Sequence, residues 1–145
     1  MISLAAVRGQ PVLLGFVPSV LCSWCKQQLQ SIEEALPELR ARNVAVFVVS
    51  TDEGAVQRKT AQSLGLSYPL GSEAPTRAKH PVGSAYGVYH YPQGHPAGPV
   101  EANGLVIIDA TGTIRAVRIG PGRQIDSSQI HMLLSTALGP VGDGR

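Results

Sequence analysis

An α/β domain with a central mixed sheet and helices on both faces is what this sequence predicts, on three observations. Apolar runs of strand length, Val12 to Val17 and Val44 to Val49, alternate with stretches whose apolar residues recur at the 3.6-residue period of a helix. The second run is apolar at successive positions, as a strand covered on both faces must be. After Asn103 the pattern changes to two strands joined by a tight turn and one more amphipathic stretch, which adds an antiparallel edge to the parallel units. The 145 residues, 43% apolar and 15% charged, are enough for one domain over 1–138 with a tail at 139–145, and too few for two.

Arg8-Gly9-Gln10-Pro11 forms a turn into the first strand, Val12 to Val17, which Pro18 ends because proline has no N–H to give a ladder. A helix begins around Ser23, and Leu29, Ile32, Leu36 and Leu39 are its buried stripe. Pro37 is expected to break or kink it after Leu36, with Glu38 to Arg42 closing the segment and Arg40 and Arg42 complementing the negative end of its macrodipole. Val44 to Val49 is the expected central strand. Glu53 to Leu64 follows as a helix with Val56, Thr60 and Leu64 on one side and Gly65 at its C-cap. Leu66 to Leu70 is a short extended piece, and Val82 to Tyr86 about one helical turn. From His80 to Asn103 periodicity fails, and Pro81, Pro92, Pro96 and Pro99 with four glycines make a long connection of the kind that is functional or disordered. Leu105 to Ile108, the turn Asp109 to Gly112, and Thr113 to Arg118 form a hairpin whose second strand is half covered. Asp126 and Gln129 have capping-box spacing before a last helix that buries Ile130, Leu133, Leu134, Ala137 and Leu138 and leaves His131 on the surface.

Twelve basic and ten acidic residues leave a net charge of +2, without the basic stripe of a nucleic-acid binder. Met1 to Val7 lacks the charge and length of a signal peptide, and the apolar stretches fall short of the ~17 residues that span a bilayer. The expectation is a cytoplasmic protein without a nucleic-acid or membrane partner.

The chemistry sits in Cys22 and Cys25, the chain's two cysteines, two residues apart between the first strand and the first helix. Unpaired N–H groups and the positive end of the macrodipole favour a thiolate there, and can bring a cysteine pKa from about 8.5 into the range ~3.5–7.5. One-turn spacing also suits the ~4.4–6.8 Å Cα separation of a disulfide. In a reducing compartment such a pair is for catalysis, redox sensing or metal binding rather than a structural staple. Two buried, inert thiols are the bland alternative, disfavoured because a strand-to-helix turn exposes at least one sulfur. Trp24, between the cysteines, either shields them, contacts a substrate or is a plain packing anchor. His80, His90 and His95 could shuttle protons or join the cysteines on a metal, but their spacing fits no zinc signature and favours solvated loop residues.

The order of elements is the thioredoxin arrangement, and several phrases resemble the peroxiredoxin branch of that superfamily, the alkyl hydroperoxide reductase and thiol-specific antioxidant family. They are Arg8 to Phe16, Leu36-Pro37-Glu38-Leu39-Arg40, Val48 to Asp52, Ser67-Tyr68-Pro69-Leu70, Tyr86-Gly87-Val88, and Gly104 to Asp109 with Gly112 and Ile114. The likeness covers roughly 4–138, and the family's additional β segment before this point has no counterpart, as though the N-terminus were truncated. The family's Pro-x-x-x-Thr-x-x-Cys motif falls on Pro18 and Cys25, with Cys22 in place of the threonine. Its thiolate-supporting arginine falls on Asn103, so a cation would have to come from Arg115, Arg118 or Arg123.

The resemblance implies a thiol oxidoreductase cycling Cys22 and Cys25 between dithiol and disulfide, without a cofactor, at the expense of an external thiol reductant such as a thioredoxin system. Cys25 attacks in the peroxiredoxin register and Cys22 in the thioredoxin register. The substrate is a hydroperoxide or a disulfide, and the two departures shift weight toward the disulfide. Pro18, Trp24, Asn103 and Arg118 are the supporting residues, the loop before Asn103 borders the site, and a homodimer is compatible with the family. A copper or zinc carrier and a non-catalytic binding domain are the alternatives.

Overall fold

The computed structural model describes residues 3–73, 82, 85–86, 89–90, 100–101, 103–120 and 125–140. Five strands, β1 (Val12–Phe16), β2 (Ala45–Ser50), β3 (Leu70–Ser72), β6 (Asn103–Ile108) and β7 (Ile114–Gly120), form one sheet in the order β3-β2-β1-β6-β7. β1 pairs parallel with β2 and antiparallel with β6, β3 is parallel to β2, and β7 is antiparallel to β6. This is a mixed sheet of thioredoxin type.

Three helices, α1 (Ser23–Ala41), α2 (Gly54–Leu64) and α3 (Ser127–Leu138), lie on one face. Leu29, Ile32, Leu36 and Leu39 of α1 and Ile130 and Leu134 of α3 pack there against Leu13, Val48, Leu105 and Ile107, with Val56 and Leu64 of α2 at the margin. The other face, Val12, Leu14, Phe16, Val106 and Ile108, is covered by Val7 from a 3-10 turn at Leu4–Val7 and by Tyr86. The Tyr86 ring centroid is 5.6 Å from that of Phe16. Helical cover is thus present on both faces, long on one and short on the other.

That inequality corrects the expected central strand. The middle of the sheet is β1, buried at all five positions, while β2 alternates between buried and half-buried because Ala45, Phe47 and Val49 face the thinly covered side. Pro37 does not break α1, which runs unbroken to Ala41. A proline inside a helix costs ~3 kcal/mol, whereas Leu36 and Leu39, on either side of it and both buried, contribute ~1.5–3 kcal/mol each. Arg42, more than a charge near the helix end, donates to the Gly139 carbonyl at 2.7 Å and ties α1 to the end of α3.

Leu66 to Leu70, expected as a short extended piece, enters the sheet only at its last residue. Pairing begins at Leu70, while Tyr68 turns into the core and its hydroxyl donates to the Leu29 carbonyl at 2.6 Å. Tyr86 N–H donates to the Val82 carbonyl, as one helical turn requires. The stretch expected to lack regular structure contains two short strands, β4 (Tyr89–His90) and β5 (Val100–Glu101), paired antiparallel. Its prolines, His80, His95 and Arg123 lie outside the described residues. Gly65 ends α2 in the left-handed region at φ 65°, and Asp126 caps α3 by accepting from Gln129 N–H at 2.9 Å. His131 is exposed, 2.8 Å from Glu38.

In the β6–β7 turn the Asp109 carboxylate accepts from the Thr111 hydroxyl and N–H, Thr113 N–H and Arg115 Nε. These donors, the Thr111 hydroxyl first, hold its pKa well below the ordinary 3.8. A depressed carboxylate stabilises the fold fully above its unfolded value and loses that contribution as pH falls through the lower folded value. Asp109→Asn is therefore expected to unfold with a smaller acid dependence below about pH 4 than the parent; equal acid dependence in fluorescence-monitored titrations would count against it.

Gly15 marks a second constraint. A Cβ there would lie 3.0 Å from Val48 Cγ2 and 3.4 Å from Ile32 Cδ1, so β1 runs close beneath α1. Gly15→Val is expected to lower the urea midpoint, at a cost of about 1–3 kcal/mol. An unchanged midpoint would show that Val48 and Ile32 can give way freely.

Candidate active site

The carboxyl ends of β1 and β2 and the start of β6 meet at the N-terminus of α1. Val17 N–H donates to the Val49 carbonyl at 3.0 Å and carries the β1–β2 pairing one residue beyond β1, up to Pro18. The chain then turns through Ser19, Val20 and Leu21 into Cys22, the N-cap of α1, in extended conformation. Cys22 Sγ accepts from the Cys25 N–H at 3.1 Å, an unpaired first-turn donor satisfied by sulfur instead of the usual hydroxyl or carboxylate. Cys22 and Cys25 form a disulfide, with Cα atoms 5.1 Å apart. Cys25 is 0% exposed and Cys22 partly exposed, flanked by Leu21 and Trp24 at 62% and 53%.

Two polar networks hold this turn, and neither is apparent from the cysteine motif. Below the loop, Asp52 accepts from the Ser19 hydroxyl at 2.8 Å, Val20 N–H at 2.7 Å and the Ser50 hydroxyl at 2.7 Å. The Thr51 hydroxyl donates to the Pro18 carbonyl at 2.7 Å, and Gln57 Nε2 to the Ser50 hydroxyl at 2.8 Å. Ser50, Thr51 and Asp52 thereby fasten the loop to the end of β2. The signal in the sequence was three consecutive hydroxyl and carboxyl residues at the carboxyl end of a parallel strand, where α/β sheets place their sites.

Behind Cys25 lie Gln28, 0% exposed, and Asn103, 6% exposed. Gln28 Nε2 donates to the carbonyls of Phe16 at 3.3 Å and Gly104 at 3.1 Å, residues that face each other in the β1–β6 register. Asn103 Nδ2 lies 2.8 Å from Gln28 Oε1 and 3.9 Å from Cys25 Sγ. Gln28 stands three residues after Cys25 and four before Ile32, squarely on the buried stripe, and a polar residue at such a position was the sign to look for.

Of the expected supporting residues, Asn103 lies against Cys25, Trp24 stands exposed between the two cysteines in the chain, and Pro18 ends the β1 ladder with its carbonyl held by the Thr51 hydroxyl. Arg118 is exposed on β7, paired across from Leu105, and its positive charge helps to lower the Asp126 pKa behind larger contributions from Ser128 and Gln129. Among the described contacts it is not joined to either cysteine. Among the described residues no group of three or more His, Cys, Asp or Glu is gathered as a metal site would need. No helix among them is long and apolar enough to cross a membrane.

A model of the AhpC/TSA family matches residues 1–117. The chain belongs to that family. It is a peroxiredoxin-like member of the thioredoxin superfamily and a thiol oxidoreductase by kind. Peroxiredoxin tpx1 of Schizosaccharomyces pombe is 29% identical over 137 residues, 88% of this chain and 67% of that protein. Alkyl hydroperoxide reductase E of Mycobacterium tuberculosis is 27% identical over 116 residues, 79% of this chain and 71% of that protein. The fold is similar to the bacterioferritin comigratory protein of Xanthomonas campestris, with TM-score 0.80 at 14% identity over 93% of this chain and 83% of that one. It is also similar to Enterococcus faecalis AhpC, with TM-score 0.74 at 20% identity over 92% and 78%.

Asp52→Ala removes the acceptor of three hydrogen bonds, one of them from the N–H of fully buried Val20. The expected loss is about 1–3 kcal/mol in urea denaturation, with faster hydrogen exchange at the Val20 amide. Unchanged exchange there would show that the loop holds without the clamp.

Proposed function

We propose that the protein is a thiol peroxidase in which Cys25 attacks a small hydroperoxide and Cys22 resolves the product. Its main support is the donor behind Cys25: the cysteine that falls on the family's attacking position has Asn103 Nδ2 3.9 Å from its sulfur, at the place where the family has its thiolate-supporting arginine, and its neighbour one turn earlier is partly exposed and open to a reductant. The names of the yeast and mycobacterial relatives point the same way.

In the first half of the cycle the Cys25 thiolate attacks the terminal oxygen of ROOH. The O–O bond breaks, the leaving alkoxide takes a proton and departs as ROH, and Cys25 becomes a sulfenic acid. The Cys22 thiolate then attacks the Cys25 sulfur, the S–O bond breaks, hydroxide leaves as water, and the disulfide forms across a 5.1 Å Cα separation. In the second half an external dithiol, such as a thioredoxin, attacks the exposed Cys22 sulfur and expels Cys25 as thiolate. Its second thiol then releases Cys22, leaving the partner oxidised. No cofactor enters the balance, and a reducing cytoplasm supplies the dithiol.

Pro18 would fix the turn through its carbonyl, and Leu21 and Trp24 would form the apolar rim against which substrate or reductant rests. Asn103, a neutral donor where the family has an arginine, sets the speed. Loss of one cationic or oxyanion-type donor costs about 100- to 1000-fold in rate, so reaction with hydrogen peroxide is expected to be correspondingly slow.

Stopped-flow mixing of reduced protein with hydrogen peroxide, followed by the fluorescence of Trp24, the chain's one tryptophan, tests the cycle. One equivalent of peroxide should produce an intramolecular disulfide with a loss of two hydrogens. Cys22→Ser should stop at a dimedone-reactive sulfenic acid on Cys25, and Cys25→Ser should not react. Sulfenic acid on Cys22 instead would reverse the assignment.

A further inference from the structure

The buried carboxamides behind Cys25 can be oriented by hydrogen-bond chemistry alone. Two backbone carbonyls, of Phe16 and Gly104, face one end of the Gln28 amide, at 3.3 and 3.1 Å. Carbonyl oxygens only accept, so that end must be the NH2 group, and both of its hydrogens are used. Gln28 Oε1 is then left to face Asn103 at 2.8 Å, and since it too only accepts, Asn103 must present Nδ2. One Nδ2 hydrogen goes to Gln28, and the second is free for Cys25 Sγ at 3.9 Å. A flip of either amide would set oxygen against oxygen in a site shielded from water, because Gln28 and Asn103 are 0% and 6% exposed.

We propose that Gln28 is a positioning residue that turns the Asn103 carboxamide so that its N–H faces Cys25, giving the Cys25 thiolate a fixed neutral donor. In the disulfide the sulfur is a weak acceptor and the contact is long. As a thiolate it is a full anion, and a donor locked in place by two backbone carbonyls stabilises it without reorganising. The same donor serves both halves of the cycle, because it lowers the proton affinity of the attacking sulfur and improves it as the leaving group when the disulfide is reduced. This deepens the assignment of Cys25 as the reacting thiolate and rests on it.

The test isolates Cys25 in a Cys22→Ser background, where serine supplies an equivalent N-cap. Thiolate absorbance near 240 nm, titrated against pH, requires neither access to the sulfur nor peroxidase activity, so a failure of the peroxidase assignment would leave this result intact. Asn103→Leu and Gln28→Met should each raise the Cys25 pKa by about one unit, a tenfold loss of acidity. The double variant should shift no further than Asn103→Leu alone, since the two act in series. Asn103→Asp, which puts an acceptor oxygen where the donor stood, should raise it more than Asn103→Leu. Asn103→Leu leaves the Gln28 bonds to both carbonyls in place and keeps the donor under test if Gln28→Met fails to fold. An unmoved pKa in folded Asn103→Leu overturns the donor, and a shift in Asn103→Leu without one in folded Gln28→Met overturns the role of Gln28.

Discussion

The site depends on β1 being the middle strand. Buried at all five positions and paired with β2 on one side and β6 on the other, it brings the ends of two neighbours to the point where its own ladder stops at Pro18. Because β2 runs parallel, its carboxyl end arrives there with Ser50, Thr51 and Asp52. Because β6 runs antiparallel, its beginning arrives with Asn103. The helix that starts in the same place contributes Cys22, Cys25 and Gln28, and a mixed sheet therefore gathers three separate pieces of sequence around one disulfide.

The two networks differ in what they can afford electrostatically. Asp52 is a carboxylate that accepts from two hydroxyls and a backbone N–H at the partly buried margin, so its charge is met by dipoles near water. Gln28 and Asn103 lie deeper, where an unpaired ion would carry a penalty of several kcal/mol. Neutral carboxamides avoid that penalty and still satisfy the last carbonyls of the β1–β6 pair. The consequence for chemistry is a weaker donor at Cys25 than a guanidinium would be, held by a scaffold that needs no counter-ion.

Much of this was legible from sequence for physical reasons. Val12 to Val17 is apolar without interruption and ends at a proline, and the stripe from Leu29 to Leu39 has a clean helical period, so the cysteines could be set at a strand-to-helix turn. The failures came where tertiary contacts outweighed local rules. Pro37 stays helical because Leu36 and Leu39 are buried around it, and β2 is not central because sheet order depends on crossovers that residue patterns do not record. Asn103 could be located only through its resemblance to a family position. Gln28 escaped notice because glutamine is common on exposed helix faces, and only its phase relative to Cys25 and Ile32 marks it as buried.

The asymmetry of the disulfide follows from helix geometry. An N-cap residue lies at the rim of its helix, while a residue three positions later points back over the first turn toward whatever the helix is packed on. Cys22 is therefore half out and Cys25 wholly in, whatever their chemistry. An incoming thiol must approach along the S–S axis and can do so only from the Cys22 side, which makes Cys25 the leaving group on steric grounds. Hydrogen bonding does not choose between the two sulfurs, since Cys25 faces the Asn103 N–H and Cys22 accepts from the N–H of Cys25, so steric access sets the direction. The helix that positions the pair thus also fixes the direction in which the disulfide is opened.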